Sequence, residues 1–186
     1  MYSFYSNDEL IKLGLGSVGN NVLISRKASF YNPRSICLGS NVRIDDFCIL
    51  SGNINIEDYI HIAAYSALYG GNAGIVVKKY ANISSRVCIY AQSDDYSGKS
   101  MTNPMISDSY KIIQEQQVIV DKNVIIGTGS TVLPGVHLSE GTAVGAMSLV
   151  KQSTEPWYIY AGVPVKQIKK RSMNLLNLET QFENNE

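Results

Sequence analysis

A six-residue period constrains this chain more than any other feature. Counting in sixes from Leu38 gives Leu38, Ile44, Leu50, Ile56, Ile62 and Leu68. The count restarts at Val77 with Ile83 and Ile89, and again at Val120 with Ile126, Val132, Leu138, Val144 and Val150. Every one is Ile, Leu or Val, a run that chance yields with a probability on the order of 10⁻⁶. Two residues earlier stands a second patterned position: Val42, Cys48, Ile54, Ile60, Ser66, Ala81, Val87, Val124, Ser130, Val136, Thr142 and Ser148. The residue just after is often small or acidic, as at Gly39, Asp45, Glu57, Ala63, Asp121, Gly127 and Gly145. A helix repeats about every 3.6 residues and a strand about every 2, so neither alone gives this period. Short strands with inward side chains at i−2 and i, each followed by a tight corner and wound as a solenoid, do give it.

Written as [LIV]-[GAED]-x-x-[STAV]-x, the repeat resembles that of the left-handed parallel β-helix acyltransferases over roughly residues 17–165, with a weaker first coil at Val18, Ile24 and Phe30. The resemblance implies an all-β solenoid in which three hexads make one triangular coil. The runs contain six, three and six hexads. All are multiples of three, so the insertions around 31–35, 69–74 and 91–117 are expected at one edge of the prism, where loops on a rigid scaffold build sites. The longest is polar, and Tyr90, Tyr96, Met101, Met105 and Tyr110 are its expected anchors.

The expected organisation is an N-terminal cap over 1–16, a β-helix over 17–155 with the loop 91–117 protruding, and an extended segment plus helix over 156–186. Ser6 and Glu9 form a capping box for a short helix that stops at Gly14. From Lys166 onward, Ile168, Leu175, Leu176, Leu178 and Phe182 fit one face of a C-terminal amphipathic helix. Both ends of a solenoid need such covers.

Composition removes other classes. Basic and acidic residues balance at 16 each, so no field marks the chain for nucleic acid. No apolar run spans a bilayer and MYSFYSNDEL is no signal pattern, which points to the cytoplasm. Cys37, Cys48 and Cys88 have no metal-ligand rhythm. With only His61 and His137, a three-histidine zinc site is excluded within one chain, and no metal is expected.

The stretch Ala161-Gly162-Val163-Pro164-Val165-Lys166-Gln167-Ile168-Lys169 is similar to the GxPAKxI ending of sugar acetyltransferases in this superfamily, with Val165 in place of the usual alanine. That resemblance implies acetyl-CoA as cosubstrate, bound along the C-terminal coils between subunits of a homotrimer. The matching positions are Gly127, Thr128, Gly129, Gly145, Ala146 and Ser148, with Lys151 and Gln152 beyond. Lys166, Lys169, Lys170 and Arg171 form a cationic cluster suited to the phosphates.

Acetyl transfer needs a base for the nucleophile's proton. The resemblance implies a histidine early in the long loop, and Asp94 stands at about that position. His61, between inward Ile60 and Ile62, projects outward and is the first candidate, oriented by Asp94 or Asp95 of a neighbouring loop. His137 ranks behind it.

The preferred function is O-acetylation of a sugar hydroxyl in bacterial cell-surface polysaccharide synthesis, in association with glycan-assembly machinery. The alternatives are N-acetylation of a nucleotide-linked amino sugar and a non-catalytic β-helix module.

Overall fold

A computed structural model describes residues 3–185. Residues 1 and 2 of the expected cap, and residue 186 of the expected C-terminal segment, lie outside the described residues. The hexads wind into parallel coils with three faces. Along the first face Val18, Leu38, Ile56, Val77, Val120 and Leu138 stack rung on rung. The second face stacks Ile24, Ile44, Ile62, Ile83, Ile126, Val144 and Tyr160. The third stacks Phe30, Leu50, Leu68, Ile89, Val132 and Val150. The chain thus makes six full coils and begins a seventh.

The core is the inside of this prism. From Leu38 on, none of the periodic residues to Val150 is more than 3% exposed, and the same holds for the partners two positions earlier. Three of those partners are serines, and their hydroxyls are satisfied across coils. Ser66 Oγ donates to the Ser84 carbonyl at 2.9 Å and Ser130 Oγ to that of Gly145 at 3.0 Å, as buried polar groups require.

The corners explain the hexad's third requirement. From the second coil on, the residue three before each inward one of the second and third faces turns the chain at positive φ, as Asn41, Tyr59, Tyr80 and Asn123 do into the second face and Phe47, Tyr65, Arg86 and Met147 into the third. Asparagine tolerates this region, but a bulky residue does so at a cost. Here the rings regain contact by stacking up the edge. Phe47 lies 5.0 Å from Tyr65, and Tyr59 lies 5.2 Å from Tyr80, between ring centroids.

All three insertions fall between the third and first faces, as the phase of the repeat requires. The longest leaves as a two-rung antiparallel hairpin, Gln92–Ser93 against Gln114–Glu115. The Glu115 carboxylate accepts from the Asn72 amide at 3.1 Å, tying this loop to the shorter insertion below it. The expected anchors Tyr96, Met101, Met105 and Tyr110 are instead exposed. Polar hairpin and turn contacts hold the loop in their place.

At the N-terminus, helix α1 (Asn7–Lys12) buries Leu10 over the first coil. Glu9 accepts from the Ser6 N–H at 2.8 Å and pairs with both Arg26 amino groups. At the other end the expected helix starts late. Lys166–Lys170 is a strand, antiparallel to Tyr158–Ala161, and Ile168 is exposed on it. Pairing covers the open edge of the last coil, which a helix there would leave bare. Helix α2 (Asn174–Glu183) follows and folds back on the corner between first and second faces. Its Phe182 sits edge-on to Tyr59 at 5.4 Å, Glu183 pairs with Lys79 at 2.6 Å, and Glu179 pairs with Lys122.

Candidate active site

Two places on the solenoid carry the sequence-derived candidates. The first is a strip at the edge of the second face. Directly after the inward residues of successive coils come Asp45, Ala63, Ser84, Gly127, Gly145 and Ala161, joined by one ladder of backbone bonds. A Cβ on Gly127 would lie 2.5 Å from the Ala146 nitrogen, and one on Gly145 would lie 3.0 Å from the Ala161 Cβ. Neighbouring coils therefore approach closely here and leave a shallow, side-chain-poor track. Ala146 is exposed at its edge, and Lys166 pairs with Ala161 at its end. Lys169, beside Ile159, is exposed on the same strand. Lys151 stands one face away, after Val150, and is not on this strip.

Arg171 leaves the expected cationic cluster. Its guanidinium donates to the carbonyls of Asn123 at 2.7 Å and Gly141 at 3.0 Å, fastening the chain end to the corner.

The second place is a pocket of about 430 Å³ between the base of the long loop and the third face. Tyr69, Tyr90, Tyr96 and Asp94 line it, with Gln92, Ser93, Ile113 and Leu133. Tyr69 and Tyr90 stack with centroids 5.1 Å apart. Burial, with Cys88 alongside, pushes the Tyr90 phenol up. Asp94 brings a carboxylate into this aromatic wall. Asp95 does a different job: it accepts from Ser97 N at 2.8 Å and Ser100 N at 3.0 Å. The Ser97 and Ser100 contacts hold its carboxyl down to about 2, so it is a turn-forming residue.

His61 is not with them. Its Nε2 lies 2.8 Å from Asp45 Oδ2, and Arg43 Nε lies 2.7 Å from Asp45 Oδ1, all on the second face. Neither Asp94 nor Asp95 of its own chain reaches it, and the orienting carboxylate comes from the coil below. His137 repeats the arrangement on the first face, 2.8 Å from Asp121 Oδ2, with Lys78 at 2.7 Å from the other oxygen. Partial burial pushes Asp45 and Asp121 up. Their basic partners outweigh that and hold both below the ordinary carboxylate value. Among the described residues, no group of three or more His, Cys, Asp or Glu side chains is placed to hold a metal, and no helix is long and apolar enough to cross a membrane.

No protein-family profile matches the sequence. A dTDP-4-amino-4,6-dideoxy-D-glucose acyltransferase of Escherichia coli is 50% identical over 177 residues, 94% of this chain and 92% of that protein. The chain belongs to the hexapeptide-repeat acyltransferases. A putative lipopolysaccharide biosynthesis O-acetyl transferase, WbbJ, from Escherichia coli strain K12 is 30% identical over 75% of this acyltransferase and 74% of its own length. The crystal structure of the D94A mutant of AntD, an N-acyltransferase from Bacillus cereus, in complex with dTDP and coenzyme A superposes with a TM-score of 0.98 at 54% identity, covering 100% of both chains. AntD has been crystallised with its aspartate 94 changed to alanine or asparagine and its serine 84 changed to alanine, cysteine or threonine. This acyltransferase has Asp94 in the loop pocket and Ser84 on the strip beside Gly127. Ser84 escaped the sequence reading although it follows inward Ile83. The signal was its place in the same small-residue column as Ala63, Gly127 and Gly145.

Proposed function

We propose that this acyltransferase moves an acyl group from a coenzyme A thioester to the amino group of a dTDP-linked 4-amino-4,6-dideoxy sugar. The observation that carries this is the full-length match to AntD, with Asp94 and Ser84 present at the same numbers. Amine acylation, the second choice from sequence, thereby moves ahead of O-acetylation.

The strip and the pocket supply the parts this reaction needs. Gly127, Gly145 and Ala146 keep the strip free of long side chains, so a slender pantetheine arm can lie along it. Exposed Lys166 and Lys169 meet the phosphates at the strip's end. Tyr69, Tyr90 and Tyr96 form an apolar seat, and Asp94 is the charged group in it. A sugar amine is mostly protonated in neutral water and must be neutral to attack. The Asp94 carboxylate orients the ammonium and accepts its proton, the nitrogen bonds to the thioester carbonyl carbon, and Ser84 donates to the developing oxyanion. The C–S bond then breaks, the nitrogen gives up its second proton, and the leaving thiolate takes one, so amide and free thiol form in equal amounts.

In this reading the strip of one copy faces the loop pocket of another within a homotrimer. His61, braced by Asp45, stands on the strip's face as the remaining group able to take a proton.

The test is free-thiol release from acetyl-CoA and 3-hydroxybutyryl-CoA with dTDP-4-amino-4,6-dideoxyglucose or with dTDP-glucose, which lacks the amine. Release with the amino sugar alone is expected. Turnover of a sugar hydroxyl with none of the amine would reverse the assignment.

A further inference from the structure

Helix α2 does not close fully on the solenoid. Between it and the corner runs a groove of about 360 Å³, walled by Tyr59, Tyr80, Val124, Leu175, Leu178 and Phe182. It lies along the edge of the second face opposite the strip that begins the acyl-transfer site. Into this mostly apolar wall the fold sets one cation, Arg171. Among the described residues its two side-chain hydrogen bonds both use one amino group, and both go to backbone carbonyls. That leaves Nε–H and the second amino group. No carboxylate pairs with Arg171 among the described residues. Glu179, the acid that also lines the groove, is taken by Lys122 and the Asn123 amide. Glu183 on the same helix is taken by Lys79 and Tyr80.

A partly buried guanidinium without a counter-ion is an unfavourable arrangement in isolation. Burial alone pulls its protonation equilibrium down, with no opposing charge to restore it. The remaining N–H pair of a guanidinium matches a planar carboxylate in two parallel bonds. Asn82 also lines the groove and carries an amide able to donate to a carboxylate. The tyrosine and phenylalanine walls suit a flat or chain-like apolar body.

We propose that this groove is a second ligand site, separate from acyl transfer, that binds a small amphipathic monocarboxylate with its carboxylate on Arg171 and its apolar end against Tyr59, Leu178 and Phe182.

The experiment is titration of the full chain with 4-phenylbutyrate and with its neutral amide, followed by calorimetry and protein NMR. The acid is expected to bind at least about tenfold more tightly than the amide, which is the discrimination one charge-assisted pair provides. Leu178→Trp fills the apolar part of the groove while leaving Arg171 in the chain, and is expected to abolish binding in a protein with unchanged circular dichroism. Arg171→Gln is expected to erase the preference for acid over amide. Equal binding of acid and amide, or undiminished binding to Leu178→Trp, would overturn the proposal. Displacement of 4-phenylbutyrate by coenzyme A would do so too, because the groove would then belong to the donor site.

Discussion

Replacing Gly127 with alanine tests both the winding of the solenoid and the reason for its bare strip. Gly127 has ordinary backbone angles, so the cost is purely steric. The added Cβ would sit 2.5 Å from the Ala146 nitrogen and 2.8 Å from both the Gly145 carbonyl carbon and the Val144 oxygen. Normal contact begins near 3.4 Å, and every blocking atom is backbone, so no side chain can rotate away. The fifth and sixth coils must part by most of an ångström. Gly127 N–H to Val144 O, now 2.8 Å, then stretches beyond useful length. One lost backbone bond, at about 1 kcal/mol, adds to overpacking, at about 1–3 kcal/mol, for a loss of about 2–4 kcal/mol. Gly145→Ala is the control. Its Cβ meets the Ala161 Cβ at 3.0 Å and nothing else closer than 3.5 Å, so a small adjustment suffices and the cost stays below about 1 kcal/mol. Urea unfolding at one fixed protein concentration reads the difference. If Gly127→Ala loses no more stability than Gly145→Ala, the coil spacing does not dictate glycine here and the argument fails.

Asp94→Asn should lower kcat for the amino sugar by about 10²–10⁴ while coenzyme A binding persists. His61→Ala should leave kcat close to the parent value, and a collapse there with Asp94→Asn active would transfer the base role to the His61–Asp45 pair. The double change Lys166→Ala with Lys169→Ala should raise KM for the thioester about tenfold, with kcat preserved and a flatter salt dependence. Acid should destabilise the fold: Asp45 and Asp121 titrate below their ordinary value of 3.8 in the folded chain. Their contribution is complete above about pH 4 and lost as pH falls through the lowered values. Urea midpoints between pH 6 and 3 will show the fall, and Asp121→Asn should make it shallower. Phe182→Ala removes a ring that is 41% exposed, so the cost should be about 1–2 kcal/mol. Faster hydrogen exchange confined to α2 would confirm that Phe182 is what seats that helix.

The spacing of Ile, Leu and Val alone gives the interior of this protein. Each inward residue meets its own kind one coil away, so periodicity along the chain becomes stacking in space. The common edge of the three insertions follows from counting hexads. One outward contact was equally countable. A coil of eighteen residues brings the position after one inward residue beside the position before the next, sixteen residues on, which is the spacing of Asp45 to His61 and of Asp121 to His137. This arithmetic supplies Asp45 as the partner of His61 within one chain.

Other features depended on the tertiary structure. Local pattern continued the last helix through Ile168, whereas the open edge of the final coil drew that segment into an antiparallel strand. Arg171 read as one cation among four until the fold placed it against two carbonyls. Tyr59, Phe47 and Tyr65 occupy corners whose φ suits asparagine or glycine, and stacking between coils compensates for that. Asp94 entered an aromatic pocket, while adjacent Asp95 closed a turn. Inward positions are set by a short-range repeat, so sequence alone determined them. Outward chemistry depends on which coils, loops and ends become neighbours, and chain separation does not encode that once insertions of unequal length intervene.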